Sequence, residues 1–384
     1  MKHVLHVYSG NLYGGVEAML ATLARGRRAY PGLESQFALC FEGRLSEELR
    51  AAGARVHLLG RVRLGAPQTI WRARARLGEL LLRESFAAVV CHAPWSLIVG
   101  GAAARSAGVP LVFWMHDAAR GRHWIERWAR RTVPDLVVCN SRFTETTAAS
   151  LYPGSPTAVL YCPVEPPGQN ALTPPERARL RAGLGTAEDD VVILQASRME
   201  EWKGHAPHLR ALARLKELPG WTCWMAGGAQ RPTEVGYVKS LQDEAARLGI
   251  AGRVRFLGQR TDVPTLLGAA DIHCQPNTAP EPFGIALVEA LAAGLPVVTT
   301  SIGAAPEIVN DSCGVLVPPG DEPALAAALR RLIESPGLRR KLGRGGPDRA
   351  EFLCDVGRRT RELDALLAHA AEAHKQTNEC LNFA

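Results

Sequence analysis

Val191-Val-Ile-Leu-Gln-Ala-Ser-Arg-Met-Glu-Glu-Trp-Lys-Gly204 passes from an unbroken apolar run into a polar turn. Val191 to Gln195 reads as a strand buried on both faces, and the turn opens a helical pattern. Strand, short polar loop and helix in that order are the unit from which parallel sheets are wound. Ser197, Arg198, Lys203 and Gly204 then fall where open α/β sheets collect ligands, just past the carboxyl end of a strand. Arg198 offers a planar fork and Lys203 a point charge, a pair suited to a diphosphate.

The same alternation extends in both directions. Upstream, His3 to Tyr8, Ala87 to Cys91, Leu111 to Met115 and Leu136 to Cys139 are Val- and Leu-rich runs separated by helical patterns. Downstream come Trp221 to Met225, Val254 to Leu257, Ile272 to Gln275, Pro296 to Thr300 and Gly314 to Val317. Two doubly wound sheets are expected. Between the two series, Cys162 to Pro175 carries five prolines, which suits a linker and neither helix nor strand. The boundary is placed near Val164, giving domains at 1–164 and 165–357. Leu353, Val356, Leu363, Leu366 and Leu367 recur at helical spacing, and this last segment, about 358–384, is expected to pack back on the first domain.

A chain of 384 residues, 47% of them hydrophobic, suffices for two cores. Its start, Met1-Lys2-His3-Val4, runs into a strand pattern instead of a secretion signal, and no stretch of about 20 apolar residues occurs, which points to the cytoplasm. The nine cysteines form no Cys-x2-Cys pair, and Cys91, Cys139, Cys223 and Cys274 sit in apolar runs, so neither disulfides nor zinc is expected. A net charge of +7 favours anionic partners.

Polar residues gather at strand ends. After the first strand, Gly14 and Gly15 open a helix whose bare N–H groups would favour a phosphate; a plain turn explains them equally well. His116 and Asp117 end the strand Leu111 to Met115, and Asn140 and Ser141 end the next; a single His there is commonly structural. Gly227 and Gly228 follow Trp221 to Met225 and allow close approach of backbone to ligand. Glu281-Pro-Phe-Gly-Ile-Ala-Leu-Val-Glu289 sets two carboxylates eight positions apart across the start of a helix. A carboxylate on an Ala/Leu/Val face needs donors, and sugar or ribose hydroxyls supply them; a dipole-favoured Glu with a surface Glu is the bland alternative. His205-x2-His208 lacks metal partners at useful spacing, and no nucleophile elbow, Walker lysine loop or three-glycine dinucleotide fingerprint is present.

Together, Glu281 to Glu289, Ser197-Arg198-x4-Lys203-Gly204, Gly14-Gly15-x-Glu17 and Pro306-Glu307 resemble the retaining glycosyltransferases of family 4, over nearly the whole chain. The resemblance implies the GT-B architecture: two facing Rossmann-like doubly wound parallel-sheet domains with an interdomain cleft. It implies an acceptor-binding first domain and a second that binds a nucleotide-sugar, a UDP- or GDP-sugar, without metal or other cofactor. By it, Glu289 would hold ribose hydroxyls and Glu281 those of the transferred sugar. Arg198 and Lys203 would bind the diphosphate, and His116 would contact the sugar near the breaking bond. Gly14, Gly15, Gly227, Phe283 and Gly284 would complete the donor site. The departing phosphate would itself help to take the acceptor's proton. Where relatives often read Gly-Gly-x-Pro-Glu, this chain has Gly303-Ala-Ala-Pro-Glu307, whose extra methyls would narrow that loop.

Arg61, Arg63, Arg72, Arg74, Arg76 and Arg83 lie among Leu64, Ile70, Trp71, Leu77 and Leu80 to Leu82, a pattern for peripheral contact with anionic lipid at the inner membrane face as well as for a solvated helix. The reading is thus a hexose or N-acetylhexosamine transferase of polysaccharide biosynthesis, acting on a glycan, a lipid-linked or a small-molecule acceptor; nucleic acid is not among its expected partners. Competing readings are a nucleotide-sugar epimerase of the same architecture, which needs acid/base carboxylates not identified here, and a noncatalytic anionic-ligand or membrane-binding protein.

Overall fold

The computed structural model describes residues 1–11, 13–165, 172–229 and 231–382, side chains excepted at 232, 233 and 377–382. Residues 166–171, the middle of the expected linker, lie outside that set. The chain divides into two compact units, Met1–Pro163 with Cys354–Ala384, and Val164–Leu353.

The first unit is wound on seven strands: β1 Lys2–Tyr8, β2 Leu33–Leu39, β3 Val56–Leu58, β4 Ala88–Cys91, β5 Leu111–Met115, β6 Leu136–Cys139 and β7 Thr157–Val159, in the order β3-β2-β1-β4-β5-β6-β7. The second has six: β8 Val191–Ala196, β9 Trp221–Ala226, β10 Val254–Gly258, β11 Ile272–Gln275, β12 Val297–Thr300 and β13 Gly314–Val317, in the order β10-β9-β8-β11-β12-β13. Every pairing is parallel. Strands such as Leu111–Met115 and Val191–Ala196 are buried along their whole length, because helices cover both faces of the sheet. Full burial of a large apolar side chain contributes about 1.5–3 kcal/mol, and Phe113, Trp114, Trp221 and Trp224 anchor the cores in this way.

Parallel strands put all their carboxyl ends on one edge. The order reverses between β1 and β4 in the first unit and between β8 and β11 in the second, so each sheet has a switch point where a crevice opens. The last helix, Val356–Asn382, belongs to the first unit. Asp364 accepts from Lys2 Nζ at 2.7 Å and Tyr30 OH at 2.8 Å. The buried Asp135 carboxylate binds Arg105 at 2.8 Å and His374 Nδ1 at 3.2 Å, a second tie to the body of that helix.

β2, β3 and β7 were not expected. β2 carries Glu34, Ser35 and Gln36 in its run, while β3 and β7 have three residues each. The eight described cysteines are buried and free. No helix among the described residues is long and apolar enough to cross a membrane.

Candidate active site

At the second unit's switch point, the loop after β8 meets the loop after β11. Lys203 Nζ donates to Glu281 Oε2 at 2.8 Å, with side chains only 13% and 7% exposed. The same oxygen accepts from Asn277 Nδ2 at 2.8 Å and Gln275 Nε2 at 3.2 Å. Glu281 Oε1 has no protein hydrogen-bond partner among the described residues. Lys203 also lies 3.8 Å from the centre of the Trp202 ring, a cation–π contact. Gln195 Nε2 holds the Lys203 carbonyl at 2.8 Å, and His208 Nδ1 pairs with Gln195 Oε1 at 2.8 Å. His205 contacts Ser197 Oγ at 3.1 Å. The buried His205 and His208 therefore brace the loop, and the described residues contain no group of three or more His, Cys, Asp or Glu that could hold a metal.

Gly204 turns the chain at φ +76°, and a Cβ there would stand 1.8 Å from the Pro276 carbonyl oxygen. Only glycine lets the β8 and β11 loops approach so closely. Across the next loop, Glu281 bridges to Gly303, and Ala304 N–H donates to the Glu281 carbonyl at 2.8 Å. Ala304 sits at φ −83°, where a methyl is unstrained, so the departure from Gly-Gly leaves the loop intact. Gly227 also abuts the β8 loop, since a Cβ on it would lie 2.0 Å from the Ser197 carbonyl oxygen.

Glu281 lies in the loop ahead of the helix Ile285–Ala292, whose cap is Gly284 at φ +99°, and Glu289 is the fifth helical residue. Glu281 is held by the loop, not by the helix mouth. Phe283 is buried beneath this turn. The Glu289 carboxylate makes no protein hydrogen bond among the described residues, and desolvation by burial pushes it up to about 7. Arg198 pairs with Glu200 at 3.0 Å and is 37% exposed.

In the first unit, one sequence reading needs correction. Gly14 caps the helix Gly15–Arg25, but its N–H is not bare: the Glu17 carboxylate accepts it at 2.9 Å. Glu17 is buried and brings negative charge to the place read as a phosphate seat. Asn140 and Ser141 serve the backbone, Asn140 Nδ2 donating to the His116 carbonyl at 3.3 Å and Ser141 capping the helix Arg142–Ala148. His116 lines a cavity of about 230 Å³ together with His92, Trp95, Met115, His123 and Glu126. His92 Nδ1 lies 2.9 Å from His116 Nε2, and His6 Nδ1 lies 2.8 Å from His92 Nε2. Burial drives His6 and His116 down to about 3 and His92 well below its ordinary value, which favours the neutral form of each ring. Of the basic stripe, Arg74 donates to the Ile98 carbonyl and Arg76 to the Leu59 carbonyl. Both hold backbone carbonyls; Arg74 is half-buried, while Arg61, Arg63, Arg72, Arg76 and Arg83 are exposed.

Sequence reasoning missed Gln275, Asn277, His6 and His92. Amides at and just past the end of β11, and histidines recurring at the ends of apolar runs, were the available signals.

Known proteins resemble both units of the chain. The "Glycosyl transferases group 1" family model matches residues 176–349, and the "Glycosyltransferase Family 4" model matches residues 13–166. The glycogen synthase of Mycobacterium tuberculosis is 31% identical over 298 residues, 72% of this chain and 68% of that protein. A D-inositol 3-phosphate glycosyltransferase of Saccharomonospora viridis is 34% identical over 248 residues, 62% of this chain and 56% of that protein. The structure of Anabaena HepE in complex with UDP-glucose superposes with a TM-score of 0.83 at 27% identity, covering 96% of this chain and 100% of HepE. The two Rossmann-like parallel sheets and these matches give the GT-B class of nucleotide-sugar transferases. The chain belongs to glycosyltransferase family 4, the glycosyl transferases group 1, and is a glycosyltransferase.

Proposed function

We propose that this enzyme moves a hexose or N-acetylhexosamine from a UDP- or GDP-sugar to a glycan, lipid-linked or small-molecule acceptor, with retention at the anomeric carbon and without a divalent metal. One observation carries the reading: Glu289 is desolvated and has no protein donor among the described residues, beside a loop where Lys203 holds Glu281. A carboxylate so placed gains from ligand hydroxyls. Glu289 would take the ribose and Glu281 Oε1 a sugar hydroxyl, with Gly227, Phe283 and Gly284 shaping the seat. The donor would occupy the second unit and the acceptor the first. UDP is favoured because HepE was solved with UDP and with UDP-glucose.

As the sugar–phosphate bond lengthens, negative charge grows on the diphosphate. Lys203 and Arg198, already fixed in the loop, stabilise that charge more than they stabilise the ground state. Two unit charges about 4 Å apart interact by roughly 4 kcal/mol at an effective dielectric near 20, enough for side chains to act in place of a metal. His116 would meet a sugar hydroxyl in the first unit's cavity. Its Nδ1 has no protein hydrogen-bond partner among the described residues. The Gly14–Gly15 turn would contribute only after Glu17 gives up the Gly14 N–H.

A peripheral membrane contact is a further part of this reading. The helix Pro67–Arg83 leaves Trp71 71% and Leu82 82% exposed beside Arg72 and Arg83, the pattern of a face that dips into an anionic bilayer surface.

Nucleotide release from a panel of UDP- and GDP-sugars, with and without chelator, tests the reading. Slow hydrolysis of at least one sugar, unaffected by chelator, is expected. Release from none would sink the donor assignment, and a loss restored by divalent cation would overturn the metal-free mechanism.

A further inference from the structure

One wall of the first unit's cavity is built by Asp117, Ala119, His123 and Glu126, and the chain there is basic. Residues 117–131 hold five arginines, Arg120, Arg122, Arg127, Arg130 and Arg131, against two carboxylates, Asp117 and Glu126. All five arginines are exposed, and none has an ion pair among the described residues. Six other arginines of this unit behave differently. Arg25, Arg44, Arg50, Arg55, Arg83 and Arg105 each meet a carboxylate, at 2.8 to 3.8 Å. Unpaired positive charge beside a concave site draws in anionic ligands.

The two arginines nearest the cavity in sequence, Arg120 and Arg122, flank a pinned turn. Glu126 serves the backbone of that turn, its two oxygens accepting the N–H groups of Arg120 at 3.1 Å and His123 at 3.2 Å. Thr147 Oγ1 accepts the Ala119 N–H at 3.0 Å, and Ser150 Oγ donates to the Ala119 carbonyl at 3.1 Å. Gly121 turns the chain at φ +68°, where a Cβ would stand 2.6 Å from the Ser150 carbonyl oxygen. With its backbone already fixed, the turn loses little ordering entropy when a ligand meets it.

His123 adds a donor. Its Nδ1 accepts the Ile125 N–H at 3.4 Å, so the proton of the neutral ring sits on Nε2. Trp124 follows it directly and is 49% exposed, a flat apolar wall for a sugar ring.

We propose that the acceptor taken by the first unit carries a phosphate group, held by the guanidinium groups of Arg120 and Arg122 with His123 beside them. The proposal rests on the reading that the acceptor enters the first unit. A guanidinium fork matches two oxygens at a time, and a single fork satisfies a carboxylate. A phosphate ester, at about −1.5 to −2 charges near neutral pH and with three acceptor oxygens, uses two forks and a third donor. A neutral glycan would leave these cations with nothing to meet. The phosphate is a handle on the acceptor and undergoes no covalent change. It belongs to a soluble sugar ester or to the head of a lipid-linked acceptor, which present the same oxygens.

Arginine modification by phenylglyoxal, mapped by mass spectrometry on the full chain, reads each guanidinium separately. Rates are compared in inorganic phosphate, glucose 6-phosphate, glucose and chloride, at one ionic strength of about 0.1 M so that screening is equal. Arg61 and Arg63, exposed and absent from the cavity's lining, are the internal standards. Phosphate and glucose 6-phosphate are expected to slow Arg120 and Arg122 about tenfold, as a ligand at some ten times its Kd does, and to leave Arg61 and Arg63 unchanged. Glucose should protect neither pair. Equal rates in phosphate and chloride overturn the proposal, as does equal slowing of all four arginines.

Phosphatidylcholine vesicles with and without a long-chain alkyl phosphate form the second arm. Protection by soluble phosphate that the alkyl phosphate strengthens points to a lipid-linked acceptor, and protection that it leaves unchanged points to a soluble one. Slowing by vesicles lacking the alkyl phosphate makes the loop a membrane contact and overturns the subsite. Arg120→Gln combined with Arg122→Gln should abolish the calorimetric heat of glucose 6-phosphate binding, with Tm as the check on folding; retained binding sinks the assignment. In the same maps, protection of Arg198 by UDP reports the donor seat. Its absence counts against the proposed function, while Arg120 and Arg122 still decide the phosphate site.

Discussion

Lys203 Nζ and Glu281 Oε2, 78 residues apart in the chain, meet at 2.8 Å where the β8 and β11 loops converge. The cation read as a phosphate ligand and the carboxylate read as a sugar ligand are thus one hydrogen-bonded pair, nearly buried. Charge arriving on a bound diphosphate would be felt by both.

Lys203→Met should destabilise the second unit by about 3 kcal/mol, because it strands a nearly buried carboxylate without its cation. Lys203→Met combined with Glu281→Gln should cost less than the two single changes summed. Denaturant titration of the four proteins measures the coupling; strict additivity would mean that the pair contributes nothing. Turnover should fall more than donor affinity in Lys203→Met, since the charge it meets grows during reaction.

Glu289 gives a pH signature whose sign follows from burial. Its carboxyl titrates near 7 in the folded chain, against an ordinary value of 4.5. The protonated form is the one folding favours, so this contribution is complete below the ordinary value and is lost as pH rises through 7. Glu289→Gln should therefore gain about 1–3 kcal/mol over wild type between acidic and neutral pH. UDP affinity should move the opposite way, rising through neutrality in wild type as the carboxylate becomes an acceptor, with that component absent in Glu289→Gln. Parallel pH profiles for the two proteins would remove Glu289 from the nucleotide seat.

Gly204→Ala places a methyl 1.8 Å from the Pro276 carbonyl oxygen at a left-handed backbone position. Left-handed strain alone costs about 1–3 kcal/mol, and relief of the clash must part the two loops. Calorimetry should show weakened UDP binding together with a lowered Tm; wild-type affinity would show that the loop contact does not shape the site.

Trp71→Ser with Leu82→Ser removes the two most exposed large apolar side chains of the helix Pro67–Arg83. Flotation with vesicles containing anionic lipid at low salt should bring up the wild type and leave the double variant behind. Absence of the wild type from the floated fraction would retire membrane docking.

Much of the architecture was legible because parallel strands, covered on both faces, read as plain apolar runs. Leu111–Met115 and Leu136–Cys139 have no polar interruption inside the sheet. β2 was hidden by Glu34, Ser35 and Gln36, whose side chains pair with histidines: Glu34 with His3, Ser35 with His6, and Gln36 with His3 and His57. At the site, Arg198, Lys203, Glu281 and Glu289 stood out through residue type and spacing. That Glu281 is shared by Lys203, Asn277 and Gln275 did not, because it depends on how two loops converge in space. The Gly14 turn misled for a local reason: Glu17, three residues on, reaches back to satisfy the N–H that looked open.

The return of the final helix to the first unit makes the second an insertion within it, residues 164–353 threaded between two parts of one body. A fragment ending at Pro163 would lack the partners of Lys2, Tyr30 and Asp135. Grafting the second unit from a cousin therefore demands a cassette swapped at two joints; a hybrid made at a single crossover would finish its opening half with a foreign clasp.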